Sequence, residues 1–114
     1  MIYIGSPYSS PASSVRDDRA YQAGAFAAHC AQKGLVVYCP IASWHHIAKE
    51  HSLPKDFYFW RHLNLNILRH CTEMWVLRLD GWDESVGLTG EMDFAQEVGI
   101  TIRHFDGDNF QEVV

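Results

Sequence analysis

Met74-Trp75-Val76-Leu77-Arg78-Leu79, followed by Asp80-Gly81-Trp82-Asp83-Glu84 and then Ser85-Val86-Gly87-Leu88-Thr89-Gly90-Glu91, is the stretch that decides the fold. The first six residues, mostly apolar, read as a strand. The polar, glycine-bearing run after them reads as a loop that gives way to a helix ending at Val98-Gly99. A small polar residue, two glycines and a glutamate therefore stand at the carboxyl end of a strand and the start of a helix. In open α/β sheets that is where ligands bind. Glycines let backbone approach a ligand, and a helix N-terminus favours negative charge, an ionised carboxylate included. Glu91 is thus either an anion aimed at an electrophilic carbon or a first-turn glutamate that merely suits the helix dipole.

Outward from this stretch, strand and helix alternate. Ile2-Tyr3-Ile4 is a short apolar strand ending at Gly5, and Ser6 to Ser14 is too rich in Pro and Ser for a regular element. Ser14-Val15-Arg16-Asp17 resembles a capping box with Asp in place of Glu. The helix it starts runs to Lys33 and stops at Gly34. Ala20, Ala23, Gly24, Ala27, Ala28 and Ala31 give that helix a small-residue face. Leu35 to Cys39 reads as a parallel strand buried on both faces, ended by Pro40. Trp44 to His51 reads as a short helix, and Ser52-Leu53-Pro54 as the start of a longer one reaching Cys71. Its apolar stripe, Phe57, Trp60, Ile67, Leu68 and Cys71, contains Asn64. A buried amide must be hydrogen-bonded or wet, so Asn64 ties down a loop or faces a cavity. Ile100 to Arg103 is a further strand, and Asp106 to Val114 an optional edge strand. The alternation implies a single α/β domain over residues 1–114, a Rossmann-like three-layer sandwich on a four- or five-stranded parallel sheet.

The composition is globular: 47% hydrophobic, 13% aromatic and 20% charged over 114 residues. A formal charge of −5 argues against broad binding to nucleic acid or an anionic membrane surface. No segment approaches the roughly 18 apolar residues of a membrane span, and the first residues lack the features of a signal peptide. Cys30, Cys39 and Cys71 are widely spaced in apolar surroundings and read as buried reduced thiols of a cytoplasmic protein. His45, His46 and His51 form the densest histidine group. Neighbouring helical residues point about 100° apart and no metal-ligand spacing is matched, so no metal site is expected.

In a parallel sheet the loops after the strands converge on one edge. Three distant groups meet there: Tyr3 through Ser14, Pro40 through His46, and Asp80 through Glu91. A serine-rich loop before a helix with Arg16 and Arg19 in its first turns either holds a phosphate or merely makes a turn and a cap.

Ile2-Tyr3-Ile4-Gly5-Ser6, together with Ser85-Val86-Gly87-Leu88-Thr89-Gly90-Glu91 and Ala95, resembles the nucleoside 2-deoxyribosyltransferase superfamily, which includes the 2′-deoxynucleoside 5′-phosphate N-hydrolases. The resemblance spans the chain from the opening strand to Ile102. It looks closest to a small branch that carries Gly-Trp before the motif, as Gly81-Trp82 does here. It implies a flavodoxin-like sheet and cleavage of an N-glycosidic bond without metal or other cofactor, with Glu91 as nucleophile and Tyr3 orienting it. Six residues before the nucleophile the transferases carry an aspartate that contacts the sugar, whereas nucleotide hydrolases carry a serine for the 5′-phosphate. Ser85 therefore favours a nucleotide, since an aspartate would repel the phosphate. The substrate-binding set is Gly5, Ser6, Tyr8, Ser9, Ser10, Arg16, Ser85 and Gly87. One departure matters. Where the family has an aspartate that protonates or positions the leaving base, this chain aligns Asn64, so Asp80 or Asp83 takes the acid role or turnover is lost. The resemblance also implies a homodimer.

Two functions are thus expected. The first is cleavage of a (deoxy)nucleoside 5′-monophosphate through a covalent glycosyl-glutamate, by the pattern of the retaining glycosidases. The other is a catalytically weak nucleotide-binding module using the same cleft. A flavin electron carrier fits less well, because the first loop lacks the glycine-bearing phosphate loop expected for FMN.

Overall fold

The computed structural model describes residues Met1–Val114. Four parallel strands, β1 (Ile2–Gly5), β2 (Val37–Tyr38), β3 (Glu73–Arg78) and β4 (Thr101–Asp106), form one sheet in the order β2-β1-β3-β4. Four helices connect them: α1 (Ser13–Gln32), α2 (Pro40–Glu50), α3 (Phe57–Leu68) and α4 (Val86–Glu97). This is the order of a flavodoxin-like sandwich, whose ligand crevice opens where the strand order reverses, between β1 and β3.

The pleat sorts each strand between two cores. Ile4 and Leu77 face one way, into a cluster with Ala23, Phe26 and Cys30 of α1 and Phe105 of β4. Tyr3, Met74 and Val76 face the other, against Leu68 of α3 and Leu88 and Ala95 of α4. α1 packs on α2, and α3 on α4. In the small-residue face of α1, Ala20 and Ala23 are buried and Gly24 brings α2 close, whereas Ala28 and Ala31 are exposed. The helix stops at Gly34, whose φ of +80° suits a residue without a Cβ.

Local signals misplaced several boundaries. The segment from Leu35 to Cys39 pairs only at Val37–Tyr38 and lies at the sheet edge, where Val36 is exposed rather than buried. Pro40 does not merely end the strand but opens α2, where its missing N–H costs nothing. α3 begins at Phe57, not at Ser52, because Asp56 caps it by accepting a bond of 3.0 Å from the Phe59 N–H. Cys71 lies beyond its end. The capping box at Ser14 does not form, since α1 already starts at Ser13, and Ala12 in the cap position before it has no side chain to bond a free N–H. β4 extends to Asp106, and the tail adds a single antiparallel bridge, Phe105 to Glu112, rather than a strand.

Gly5, last residue of β1, sits where a Cβ would come within 2.6 Å of Met74 Cε, 2.9 Å of Leu88 Cδ1 and 3.6 Å of Glu91 Oε1. The Gly5→Ala variant is expected to lose about 1–3 kcal/mol through overpacking. A urea titration checks this as a lower midpoint at unchanged slope.

Candidate active site

Glu91 does not lie in the first turn of its helix. α4 starts at Val86, with Ser85 as N-cap accepting a bond of 3.1 Å from the Leu88 N–H, so Glu91 stands in the second turn on the buried face. The helix dipole fades within a turn and burial takes over: Glu91 is only 6% exposed. Desolvation pushes its carboxyl up to about 7, while hydrogen bonding from Tyr3 and then from Asn64 favours the anion. The Tyr3 hydroxyl, fully buried at the middle of β1, donates to Glu91 Oε2. Burial first, and then the charge of Glu91, push the Tyr3 phenol well above its ordinary value, so it remains a donor.

Glu91 forms the floor of a cleft of about 660 Å³, mouth included. Gly5, Ser6, Tyr8 and Ser9 of the loop after β1 line one side, and Ser85, Gly87 and Leu88 of the start of α4 another. Trp44 of α2 with Phe57 and Trp60 of α3 make an aromatic wall, the two indoles 5.4 Å apart between centroids. Both are anchored by their N–H groups, Trp44 on the Tyr38 hydroxyl at 3.0 Å and Trp60 on the Pro54 carbonyl at 2.7 Å. Phe57 can close against α4 because Gly87 and Gly90 offer no side chain there.

Two buried side-chain oxygens lack a partner, Ser6 Oγ and Asn64 Oδ1, and both belong to residues lining this cleft. Buried polar atoms are normally paired with protein or water, so these two oxygens are free to accept bonds from whatever fills the cleft, water included. Lys55 and His45 also line the cleft.

The remaining expected site residues lie elsewhere. Arg16 and Ser10 do not line the cleft: the Arg16 guanidinium donates to the Ser10 carbonyl, and Arg19 donates to the Ser9 and Asp80 carbonyls at 2.9 Å each. The two arginines thereby hold the serine-rich loop in shape. Asp80 and Asp83 are exposed and outside the cleft, so neither carboxyl reaches Glu91's surroundings. Sequence reasoning brought His45 to this edge within the segment Pro40–His46 but gave it no role, missed Lys55, and saw Trp60 only as part of an apolar stripe. Their spacing carries no signal, because α2, the loop after it and α3 bring them together only around the cleft. No group of three or more His, Cys, Asp or Glu side chains is placed to hold a metal ion. No helix is long and apolar enough to cross a membrane.

Residues 1–106 match the family described as "Domain of unknown function (DUF1937)", and the chain belongs to that family. No curated protein matches the chain in sequence.

Proposed function

We propose that this member of the DUF1937 family cleaves the N-glycosidic bond of a nucleoside 5′-monophosphate, with Glu91 as the nucleophile. The observation that carries the reading is the Tyr3–Glu91 pair. A buried carboxylate is held by a phenol at the floor of a cleft with an aromatic wall and unpaired polar atoms. The resemblance to the nucleoside 2-deoxyribosyltransferase superfamily agrees with it, since the residues carrying that resemblance are those around the cleft.

In this mechanism the Glu91 anion attacks the anomeric carbon while the base departs through an oxocarbenium-like transition state. Water or a second base then opens the glycosyl ester. Tyr3 keeps Oε2 bonded, which fixes the carboxylate and leaves Oε1 for attack. The base stacks on the wall formed by Trp44, Trp60 and Phe57. The 5′-phosphate meets the N-terminus of α4, where the Ser85 hydroxyl, already accepting from Leu88 N–H, still has its own proton to donate. Lys55 at the mouth adds a positive charge. A homodimer belongs to the same reading, and Tyr58 and Phe59 leave apolar surface exposed on the helix that carries Asn64.

The experiment is incubation with a panel of nucleoside 5′-monophosphates, with free base detected by chromatography and a glycosyl adduct on Glu91 sought by mass spectrometry. Absence of base from every member of the panel would defeat the reading. Asn64 favours a second one, a module that binds the nucleotide and hardly turns it over, because an amide cannot act as an acid. Saturable nucleotide binding without base release would establish that alternative.

The phosphate contact has its own expected result. A 5′-monophosphate binds better than its nucleoside, and the preference shrinks as salt rises. Ser85→Asp reverses the preference by placing like charge beside the phosphate. Equal affinities for nucleotide and nucleoside in the native protein would remove the phosphate from the proposal.

A further inference from the structure

Tyr8, His45 and Asp17 form a hydrogen-bonded chain that starts in the cleft. The Tyr8 hydroxyl lies 2.7 Å from His45 Nδ1, and His45 Nε2 lies 2.8 Å from Asp17 Oδ1 on α1. His45 is 5% exposed, and its side chain and that of Tyr8 both line the cleft. Lys49 bonds both oxygens of Asp17 at 3.2 Å. Lys49 first and then His45 hold the Asp17 carboxyl below the usual carboxylate range.

The direction of the chain is set by these bonds. An ionised Asp17 can only accept, so His45 Nε2 must carry a proton. Nδ1 then has two states. In the neutral ring it accepts from the Tyr8 O–H. In the imidazolium it donates to the Tyr8 oxygen, and the Tyr8 proton is freed to bond something in the cleft. Tyr8 is itself partly buried beside Arg16, and desolvation pushes its phenol up, so it is protonated at neutral pH. The other charged or titratable neighbours are Lys49 and His46, whose ring lies 5.1 Å from that of His45.

We infer that Tyr8, backed by the His45–Asp17 pair, delivers the proton that the departing base requires, the task for which Asn64 is unsuited; this rests on the glycosidase reading above. Tyr8 is then a catalytic residue, and His45 and Asp17 are positioning residues. As the C–N bond breaks, its electron pair goes to the base and the Tyr8 proton moves to it. This step starts from the imidazolium: its Nδ1 proton moves to the Tyr8 oxygen, which leaves a neutral imidazole and no phenolate, and Glu91 forms the ester. When water opens the ester, its oxygen bonds the anomeric carbon and the ester electron pair returns to Glu91. The proton released by that water passes back through Tyr8 to His45. Phenol and imidazolium thus recover their starting states.

The test compares a purine nucleoside 5′-monophosphate with its N7-methylated form, whose base departs as a neutral molecule and needs no proton. Tyr8→Phe and His45→Gln should each lose about 10²–10⁴-fold in kcat/KM on the unmethylated nucleotide, the range of general acid catalysis. On the methylated one the loss should be no more than about tenfold. Asn64→Asp added to Tyr8→Phe should restore much of the lost rate. Circular dichroism confirms that each variant is folded. Equal losses on both substrates would overturn the inference and leave the glycosidase reading intact. Wild-type release from the methylated nucleotide alone would do the same, because it means that the native protein has no acid. Release from neither substrate would defeat the glycosidase reading, and this inference with it.

Discussion

Glu91→Gln abolishes base release and makes the protein more stable at neutral pH. An amide cannot form the glycosyl ester, so turnover falls by at least about three orders of magnitude, while the nucleotide still binds through the aromatic wall and the start of α4. The stability effect has the opposite sign to a usual loss. Burial raises the Glu91 carboxyl from an ordinary 4.5 to about 7. Below pH 4.5 both folded and unfolded chains carry the proton and the group contributes nothing. Between 4.5 and 7 the unfolded chain gives its proton up while the folded chain keeps it, so stability falls across that window and is flat above it. The full difference is about 3 kcal/mol at 1.36 kcal/mol per pKa unit. The amide has no such cost, and Tyr3 can still donate to its oxygen. Denaturant titrations of both proteins at pH 5 and pH 8 check this. The variant should gain on its parent mainly at the higher pH. A variant less stable than the wild type at pH 8 would show that Glu91 holds the fold together instead of straining it. The same ionisation gives native activity an acid limb: kcat/KM should fall as the pH drops below about 7, where the nucleophile takes up its proton.

Asn64→Asp raises activity, most of all on nucleotides whose bases are poor leaving groups. The Asn64 amide already stands against Glu91, and its Oδ1 is buried without a partner. A carboxyl there would be within reach of a bond that Glu91 attacks. Two carboxyls at such close quarters cannot both ionise, so they titrate as a pair with one proton held between them near neutrality. That is the state a glycosidase uses, with one anion to attack and one acid to donate. The gain should reach about 10²-fold where Tyr8→Phe has removed the native donor, the lower end of what a positioned acid supplies, and be smaller in the native protein, where Tyr8 already donates. The pH profile should become bell-shaped, with a falling alkaline limb as the introduced carboxyl loses its proton. At high pH the pair also costs stability through like-charge repulsion. A folded, nucleotide-binding variant with no gain on any leaving group would mean that an acid at this position does not limit the reaction. The Tyr8–His45 chain would then be the proton source only if Tyr8→Phe is slow on unmethylated bases.

The sheet and most of the candidate site were legible in the residues because their signals are local. An apolar run, a glycine with positive φ after a helix, and a small polar residue three positions before a free N–H each act within a few residues. Hence β1, β3 and the ends of α1 and α4 are legible to within a residue, whereas the start of α4 is not: Glu91 reads as a first-turn glutamate and stands in the second turn. The Tyr3–Glu91 bond joins residues 88 apart and was anticipated only through the family resemblance.

Edge or centre, buried or wet, and what meets what are decided by the whole chain. Leu35–Cys39 has the composition of an interior strand, yet the order β2-β1-β3-β4 leaves it at the edge with two paired residues. Glu91 looks like a helix-dipole glutamate, and only the packing of α3 and β1 against α4 strips its water and raises its pKa. Tyr8 meets His45 across 37 residues, and His45 meets Asp17 across 28. Periodicity specifies which residues of an element share a face. Desolvation and hydrogen-bond partners depend on which faces are brought together, and only the tertiary structure supplies that.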